Sequence, residues 1–469
     1  MSAREPHEMS AAQLSAAYSN RTLSPVEVTE ALLARIEALD TKINSFCCCD
    51  PGASKEQARQ SERRWLEGAP LSPLDGVPVA IKDLLLTSGW PTRRGSLTTD
   101  PKGPWDVDAP SVARLREAGA VLIGKTTTPE FGWKATTDSP LTGITRNPWN
   151  AEKTPGGSSG GSAAALAARF CPLALGTDGG GSIRIPAALS GVVGLKPSFG
   201  RVPAYPLSPF GTVAHIGPMS RTVLDAAMLL NVIGKPDARD WQALPYQATD
   251  YAEGLEFGMR GKRIAFSPRL GHVQRIVPEV EHLGAATARR FEKMGAHVEQ
   301  IDPPGGDVIE TFKTLWWSSA AFLLRELPEE KKEQLDPGLR QIAEDGAKIS
   351  LDEYLSANAA RGRFGSAMRQ FMERHDFLLT PAVATPAFEA GQLSPIDEDG
   401  EAWLHWTPFT YPFNLTHQPA ASVPCGFTRD GLPVGLQIVG CMFDDLGVLA
   451  AAAAYELADP HFEKVPAGF

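Results

Sequence analysis

Two short segments dense in glycine and serine, and one lysine that closes an apolar run, are the residues of this chain best suited to do chemistry. The first segment is Gly156-Gly157-Ser158-Ser159-Gly160-Gly161-Ser162 and the second is Gly176-Thr177-Asp178-Gly179-Gly180-Gly181-Ser182. Glycine at this density costs backbone entropy, a cost that makes sense where the main chain must approach another molecule closely. Three glycines directly before Ser182 could present N–H groups as an oxyanion hole beside its hydroxyl. Taken singly, either segment also reads as a flexible surface loop. Each, however, leads into chain able to pack: Ala163 to Ala168 after the first, Ile183 to Val193 after the second. A serine nucleophile needs a base, and no histidine is near in sequence. Lys82 ends the run Val77-Pro78-Val79-Ala80-Ile81 and precedes Asp83. A lysine at a buried strand end can lose its proton, because desolvation disfavours the ammonium. The ordinary alternative is a surface lysine that snorkels to water.

Two familiar motifs occur, and neither fits its surroundings. Gly119 to Thr126 matches the phosphate-binding pattern G-x4-G-K-[ST]. Its four intervening residues are all apolar and predict a buried strand, not an irregular loop that aims N–H groups at phosphate. Gly156 to Gly160 matches G-x-S-x-G, the nucleophile elbow of α/β-hydrolases, which needs a strand immediately before it. The polar, proline-flanked stretch Asn147 to Pro155 does not supply one. His215, His272, His375 and His417 lie downstream, so the residue inventory leaves a Ser-His-Asp triad open. None of the four sits in a distinctive context.

The elements that must position these groups alternate between helix and strand. Capping boxes at Ser10/Gln13 and Ser24/Glu27, the second with Pro25 at the first helical position, predict an N-terminal helical segment over about residues 8–40. Strands are expected at 45–49 and 77–81. A helix over 111–118 ends at Gly119 and leads into a strand at 120–123; a helix over 163–169 leads into a strand at 173–175. Farther on, strands are expected at 263–266, 297–301, 377–380, 421–423 and 434–439. Helices are expected at 280–294, 308–327, 351–374 and 448–457. The alternation argues for an α/β fold with a largely covered sheet. No repeat or clean linker divides the chain, so one domain over residues 1–469 is expected.

Composition narrows the partners. Against 45 Lys and Arg stand 55 Asp and Glu, a formal charge of −10 with no basic cluster. The chain therefore lacks the usual electrostatic footprint for nucleic acid or an anionic membrane, and neither is expected as a direct partner. Hydrophobic residues at 43% and charged residues at 21% are ordinary globular usage. Six cysteines, three of them consecutive at Cys47, Cys48 and Cys49, predict neither a disulfide framework nor a zinc site. Met1 to Met9 lacks the apolar run of a signal peptide, and a cytoplasmic location is expected.

Through its glycine-serine and lysine motifs the chain resembles the amidase signature enzymes. The segments that carry the resemblance are Val77 to Asp83, Arg146-Asn147-Pro148-Trp149, Pro155 to Gly161, Gly176 to Arg184 and Gly191-Val192-Val193-Gly194-Leu195-Lys196-Pro197. It extends over about Ser24 to Leu457, and the two serines stand 24 positions apart. The resemblance implies one α/β domain with a large mixed central sheet covered by helices on both sides. It also implies Ser182 as nucleophile, Ser158 as a bridging serine after a cis peptide bond, and Lys82 as base. N–H groups of Gly179, Gly180, Gly181 and Ser182 would form the oxyanion hole, with Asp178 and Arg184 as supports of the loop. Phe131, Gly132 and Trp133 fall in a stretch that contributes to the substrate pocket in relatives. Trp316, Trp317 and Tyr411 would either line that pocket, favouring an aryl or hydrophobic acyl amide, or belong to the core. Many relatives carry Thr or Ile at the position of Gly179, so glycine there is expected to widen the site.

The implied reaction is hydrolysis of a small-molecule carboxylic amide to acid and amine or ammonia through an acyl-enzyme. No metal or organic cofactor is implied, and a homodimer is an allowed assembly. The alternative is the glutaminase-type catalytic subunit of a tRNA-dependent amidotransferase, which would need companion subunits. That type of subunit usually has Gln at the position of Ile185 and Thr at that of Gly179, and both departures count against it. A catalytically silent scaffold would have lost a triad residue, and this chain keeps all three.

Overall fold

The computed structural model describes residues 5–256, 258–395 and 402–469. In chain order the strands are β1 Phe46–Cys48, β2 Pro78–Lys82, β3 Val121–Thr126, β4 Asp138–Ser139, β5 Gly143–Ile144, β6 Leu173–Asp178, β7 Val193–Lys196, β8 His215–Ser220, β9 Arg263–Phe266, β10 His297–Gln300, β11 Phe377–Pro381, β12 Ala420–Phe427 and β13 Pro433–Gly440. Strands β4 and β5 pair as a small hairpin; the other eleven form one sheet in the order β1-β3-β2-β6-β8-β7-β12-β13-β11-β9-β10. The sheet is mixed. Parallel pairs are β3/β2, β2/β6, β11/β9 and β9/β10, and the remaining neighbours are antiparallel.

Side chains alternate between faces along a strand, and here consecutive residues enter two different cores. Leu379, Ile264, Ala421 and Ile438 belong to one apolar cluster. Their chain neighbours Leu378, Ala265, Ala420 and Val439 belong to the other. Both faces of the sheet are therefore covered, as the near-continuous apolar strands required. The N-terminal helical segment is the pair Ala11–Ser19 and Pro25–Leu39, and both expected capping boxes form. The apolar run within the phosphate-loop pattern is strand β3, buried along its whole length.

Several elements carry no clear sequence signal. The helix Pro51–Glu67 is polar and buries only Ser54, Ala58 and Ser61, so no apolar stripe marks it. Strand β8 contains Gly217 and Pro218, residues that argue against a central strand. Its pairing with β7 involves only Met219 and Ser220, so Pro218 falls where β8 has a ladder on one side alone.

The feature that positions the site is the parallel pair β2/β6. Their carboxyl ends, Lys82 and Asp178, open on one edge of the sheet, the edge where open α/β sheets place their sites. Two short helices, Gly160–Ala167 beginning within the first glycine-serine segment and Arg184–Ser190 just after the second, are buried throughout.

Candidate active site

Lys82 is fully buried at the end of β2. Its Nζ lies 2.7 Å from Ser158 Oγ, 2.9 Å from Ser159 Oγ and 2.8 Å from Thr177 Oγ1. All three partners are neutral hydroxyls. Burial pushes the lysine well below its ordinary value, and the Asp178 carboxylate opposes that shift without cancelling it. Ser159 Oγ donates to the Thr177 carbonyl (3.1 Å) and accepts from the Thr177 N–H (3.2 Å). Its proton is thus committed away from the lysine. The peptide bond between Gly157 and Ser158 is cis.

The second glycine-serine segment is held by one buried ion pair. Asp178 Oδ1 accepts from the Gly181 N–H (2.7 Å), Arg184 Nη2 (2.9 Å) and Asn414 Nδ2 (2.9 Å). Its Oδ2 accepts from Ile183 N (3.1 Å) and Arg184 Nε (3.0 Å). Burial alone would raise this carboxyl; the Arg184 guanidinium and the hydrogen bonds of Arg184 and Asn414 hold it far below the usual range. Arg184 donates in turn to the Thr410 carbonyl (3.0 Å), Gln437 Oε1 (2.6 Å) and Asn414 Oδ1 (2.6 Å). A buried ion pair is sustained only when its remaining donors and acceptors are satisfied, and here the bonds converge on the turn from 178 to 184. One expectation changes as a result. The Gly181 N–H is spent on Asp178, so it is not a free donor of the turn.

A cavity of about 660 Å³ opens on this corner. Ser158, Thr177, Gly179 and Ser182 line its floor, and Leu84, Phe131, Phe199, Phe210, Trp316 and Leu323 its walls. Of the stretch expected to bind substrate, Phe131 and Gly132 reach the cavity. Gly132 has φ +76°, and a Cβ there would meet Leu84 Cδ1 at 2.8 Å and Ser158 Oγ at 3.3 Å. Trp133 does not line the cavity: it is buried in the apolar core, and its carbonyl accepts from Trp316 Nε1 (3.2 Å). The other aromatics divide the same way. Trp316 is a wall residue, whereas Trp317 and Tyr411 are core.

Gly179 does not widen the site. The space a side chain would occupy is filled by the indole of Trp316, whose Cζ3 and Cη2 lie 2.7 and 2.9 Å from an ideal Cβ. Among the described residues no histidine side chain hydrogen-bonds Ser158 or Ser182. His215 borders the cavity, but its Nδ1 meets the carbonyls of Val213 (2.8 Å) and Asp178 (3.2 Å). Sequence reasoning misses Ser159 and Thr177 as hydrogen-bond partners of Lys82, although both lie inside the glycine-serine segments. Their signal is spatial, since β6 places Thr177 beside Lys82.

The family model described as Amidase matches residues 27–449. The chain is 37% identical to the Acylamidase of Rhodococcus erythropolis, across 100% of this chain and 99% of that protein. It is 38% identical to a Glutamyl-tRNA(Gln) amidotransferase subunit of Myxococcus xanthus (strain DK1622), across 96% of this chain and 97% of that one. Its fold superposes on the crystal structure of a bacterial aryl acylamidase of the amidase signature enzymes with a TM-score of 0.92, at 33% identity and over 99% of both chains. These matches define the class, an α/β enzyme that hydrolyses amide C–N bonds. The chain belongs to the amidase signature family.

Proposed function

We propose that this enzyme hydrolyses small amides with an apolar acyl or aryl group, through an acyl-enzyme on Ser182 and a relay from Lys82 through Ser158. The observation that carries the reading is the 2.7 Å contact between Ser158 Oγ and a fully buried Lys82 whose bonded side-chain partners are all neutral. A neutral lysine has one lone pair to offer. The Ser159 proton is already given to the Thr177 carbonyl, which leaves the hydroxyls of Ser158 (2.7 Å) and Thr177 (2.8 Å) beside that lone pair, and we take Ser158 as the donor. Ser158 then takes the proton of Ser182, and Ser182 Oγ attacks the carbonyl carbon.

The N–H groups of Gly179, Gly180 and Ser182 supply the charge stabilisation, with Asp178 and Arg184 holding the turn that aims them. The relay returns the proton to the leaving amine, and water attacks the ester to release the acid. The chain works as one domain over 1–469, with the helices within residues 8–40 as packing elements. The largely apolar walls of the cavity, and the acylamidase relatives, favour an apolar substituent.

The test is amine release from aryl and aliphatic amides by the purified chain, with Ser182→Ala alongside. Turnover by the wild type alone supports the reading; equal turnover by both proteins overturns it. The similarity to the tRNA-dependent amidotransferase supports a second reading, in which ammonia from glutamine is passed to companion subunits. Copurification of such subunits, with glutamine preferred over every aryl amide, would favour it. The indole seated where the amidotransferase chain usually carries a Thr side chain counts against it.

A further inference from the structure

The cavity wall beside the proposed nucleophile has an unusual construction. Trp316 sits on the helix Ile309–Leu324, an element that supplies none of the proposed catalytic residues. Its indole is stacked on Phe210 (ring centroids 3.9 Å apart, 21° between planes) and on Phe312 (5.3 Å, 23°). The Nε1 edge is tied to the Trp133 carbonyl at 3.2 Å. The opposite, benzo edge abuts Gly179 at the head of the turn that ends in Ser182. The ring is therefore restrained by its faces and at both ends, and it cannot yield as a flexible side chain would. Gly179 does not have a left-handed φ, so its backbone conformation is open to any residue. Space alone demands glycine.

We propose that Gly179 and Trp316 act as one specificity element: the missing side chain at 179 seats the indole against the oxyanion turn, and the indole selects an aromatic substituent of the amide. The proposal rests on the amide-hydrolysis reading of this same site. Trp316 still lines the cavity, with an edge between those contacts; an aromatic edge carries partial positive charge and attracts the face of another ring, a contact worth more than the area it buries. A phenyl group would present that face; a cyclohexyl group of similar size would not. The effect of such a contact is about 3- to 10-fold in affinity. Trp316 is thus a specificity residue, and the missing side chain at Gly179, as distinct from its N–H, acts by positioning the indole.

The experiment compares kcat/KM for two matched pairs. One pair is the phenylacetyl and cyclohexylacetyl amides of a single amine; the other is the benzyl and cyclohexylmethyl amides of a single acid. In each, a methylene insulates the reacting carbonyl or nitrogen from the ring. The wild type is expected to prefer phenyl by about 3- to 10-fold in at least one pair, and Trp316→Leu to bring that ratio near one. Gly179→Ala is expected to lower kcat/KM at least ~10-fold in the wild-type background and less than ~3-fold in a Trp316→Leu background, the non-additivity of two groups in contact.

Should Gly179→Ala alone fail to fold, the double variant with Trp316→Phe, which shortens the ring at that edge, is expected to fold and turn over. Absence of a phenyl preference in both pairs, persistence of the preference in Trp316→Leu, or equal losses from Gly179→Ala in both backgrounds overturns the proposal while amide hydrolysis stands. A wild type that hydrolyses none of the four amides and only glutamine overturns the apolar-amide reading itself, and this proposal with it.

Discussion

Lys82 and Lys125 stand at the ends of parallel neighbours β2 and β3, and both are fully buried. One faces hydroxyls and the other a carboxylate. Lys82 is in register with Thr126, and Lys125 with Ile81, so the two amines leave opposite faces of the sheet. Lys125 Nζ meets Asp83 Oδ1 at 3.2 Å, the Leu85 carbonyl at 2.9 Å and Thr92 Oγ1 at 2.7 Å. Burial lowers its proton affinity, and Asp83, bonded directly to it, offsets part of that shift, so Lys125 is lowered and Lys82 well below its ordinary value. Lys82 has Ser158, Ser159 and Thr177 around it, and its burial is opposed only by the more distant Asp178. Burial alone does not make a base. What distinguishes the two is the absence of a directly bonded anion, and the chain spends its adjacent carboxylate, Asp83, on the other lysine.

The largest effect expected on this side of the comparison is that of Ser182→Ala, which should reduce amide turnover at least ~10⁴-fold in an amine-release assay. Lys82→Met should follow at about 10³-fold, the usual worth of a general base. Its urea midpoint should be unchanged or raised, because a desolvated amine is replaced by an apolar chain of similar shape. Lys125→Met should do the reverse. It strands a buried carboxylate and should cost about 3–5 kcal/mol in equilibrium unfolding. If the two methionine variants exchanged these phenotypes, the assignment of base and ion pair would be inverted.

Proton linkage sharpens the contrast further. A lysine whose folded value is depressed is neutral in the native state and charged in the unfolded chain across the interval between the two values. The unfolded state binds the extra proton there, so stability rises with pH. Lys196, pushed down to about 7 by burial and by Arg184, adds a slope of the same sign above neutrality. In urea titrations below the ordinary lysine value of about 10.4, Lys82→Met should lower the slope by up to about 1.4 kcal/mol per pH unit. Turnover has the same direction, rising with pH as Lys82 loses its proton. The smallest effect is that of Ser159→Ala. It removes the hydrogen bond to the amine, worth about 1 kcal/mol, together with the two that Ser159 makes to the Thr177 backbone, and should lower kcat less than about tenfold.

How much of this was legible beforehand depended on whether the information was local. Lys82, Ser158 and Ser182 stand in segments whose glycine density and apolar flanks are unusual in themselves, and the structure gathers those segments around one corner of the sheet. Capping boxes announced Ala11–Ser19 and Pro25–Leu39 because their signals lie within four residues. Trp133 and Trp316 could not be sorted that way. One became core and the other wall through a hydrogen bond that spans 183 positions. The expectation that Gly179 opens space failed for the same reason: the atoms that fill the space come from a helix more than a hundred residues downstream. Pro218 and Gly217 hid β8, since a composition rule for central strands does not know where a neighbouring ladder stops.

The ion pair that holds the turn has a consequence for the life of the chain. Arg184 is secured by Thr410, Asn414 and Gln437, which follow it by 226, 230 and 253 residues. During synthesis at about 5–20 residues per second, Ser182 therefore emerges roughly 10–50 s before the partners that set its loop are made. A chain that stops short of Thr410 carries Lys82, Ser158, Ser182 and the Asp178–Arg184 pair, and lacks the three distant groups that fix the guanidinium of that pair.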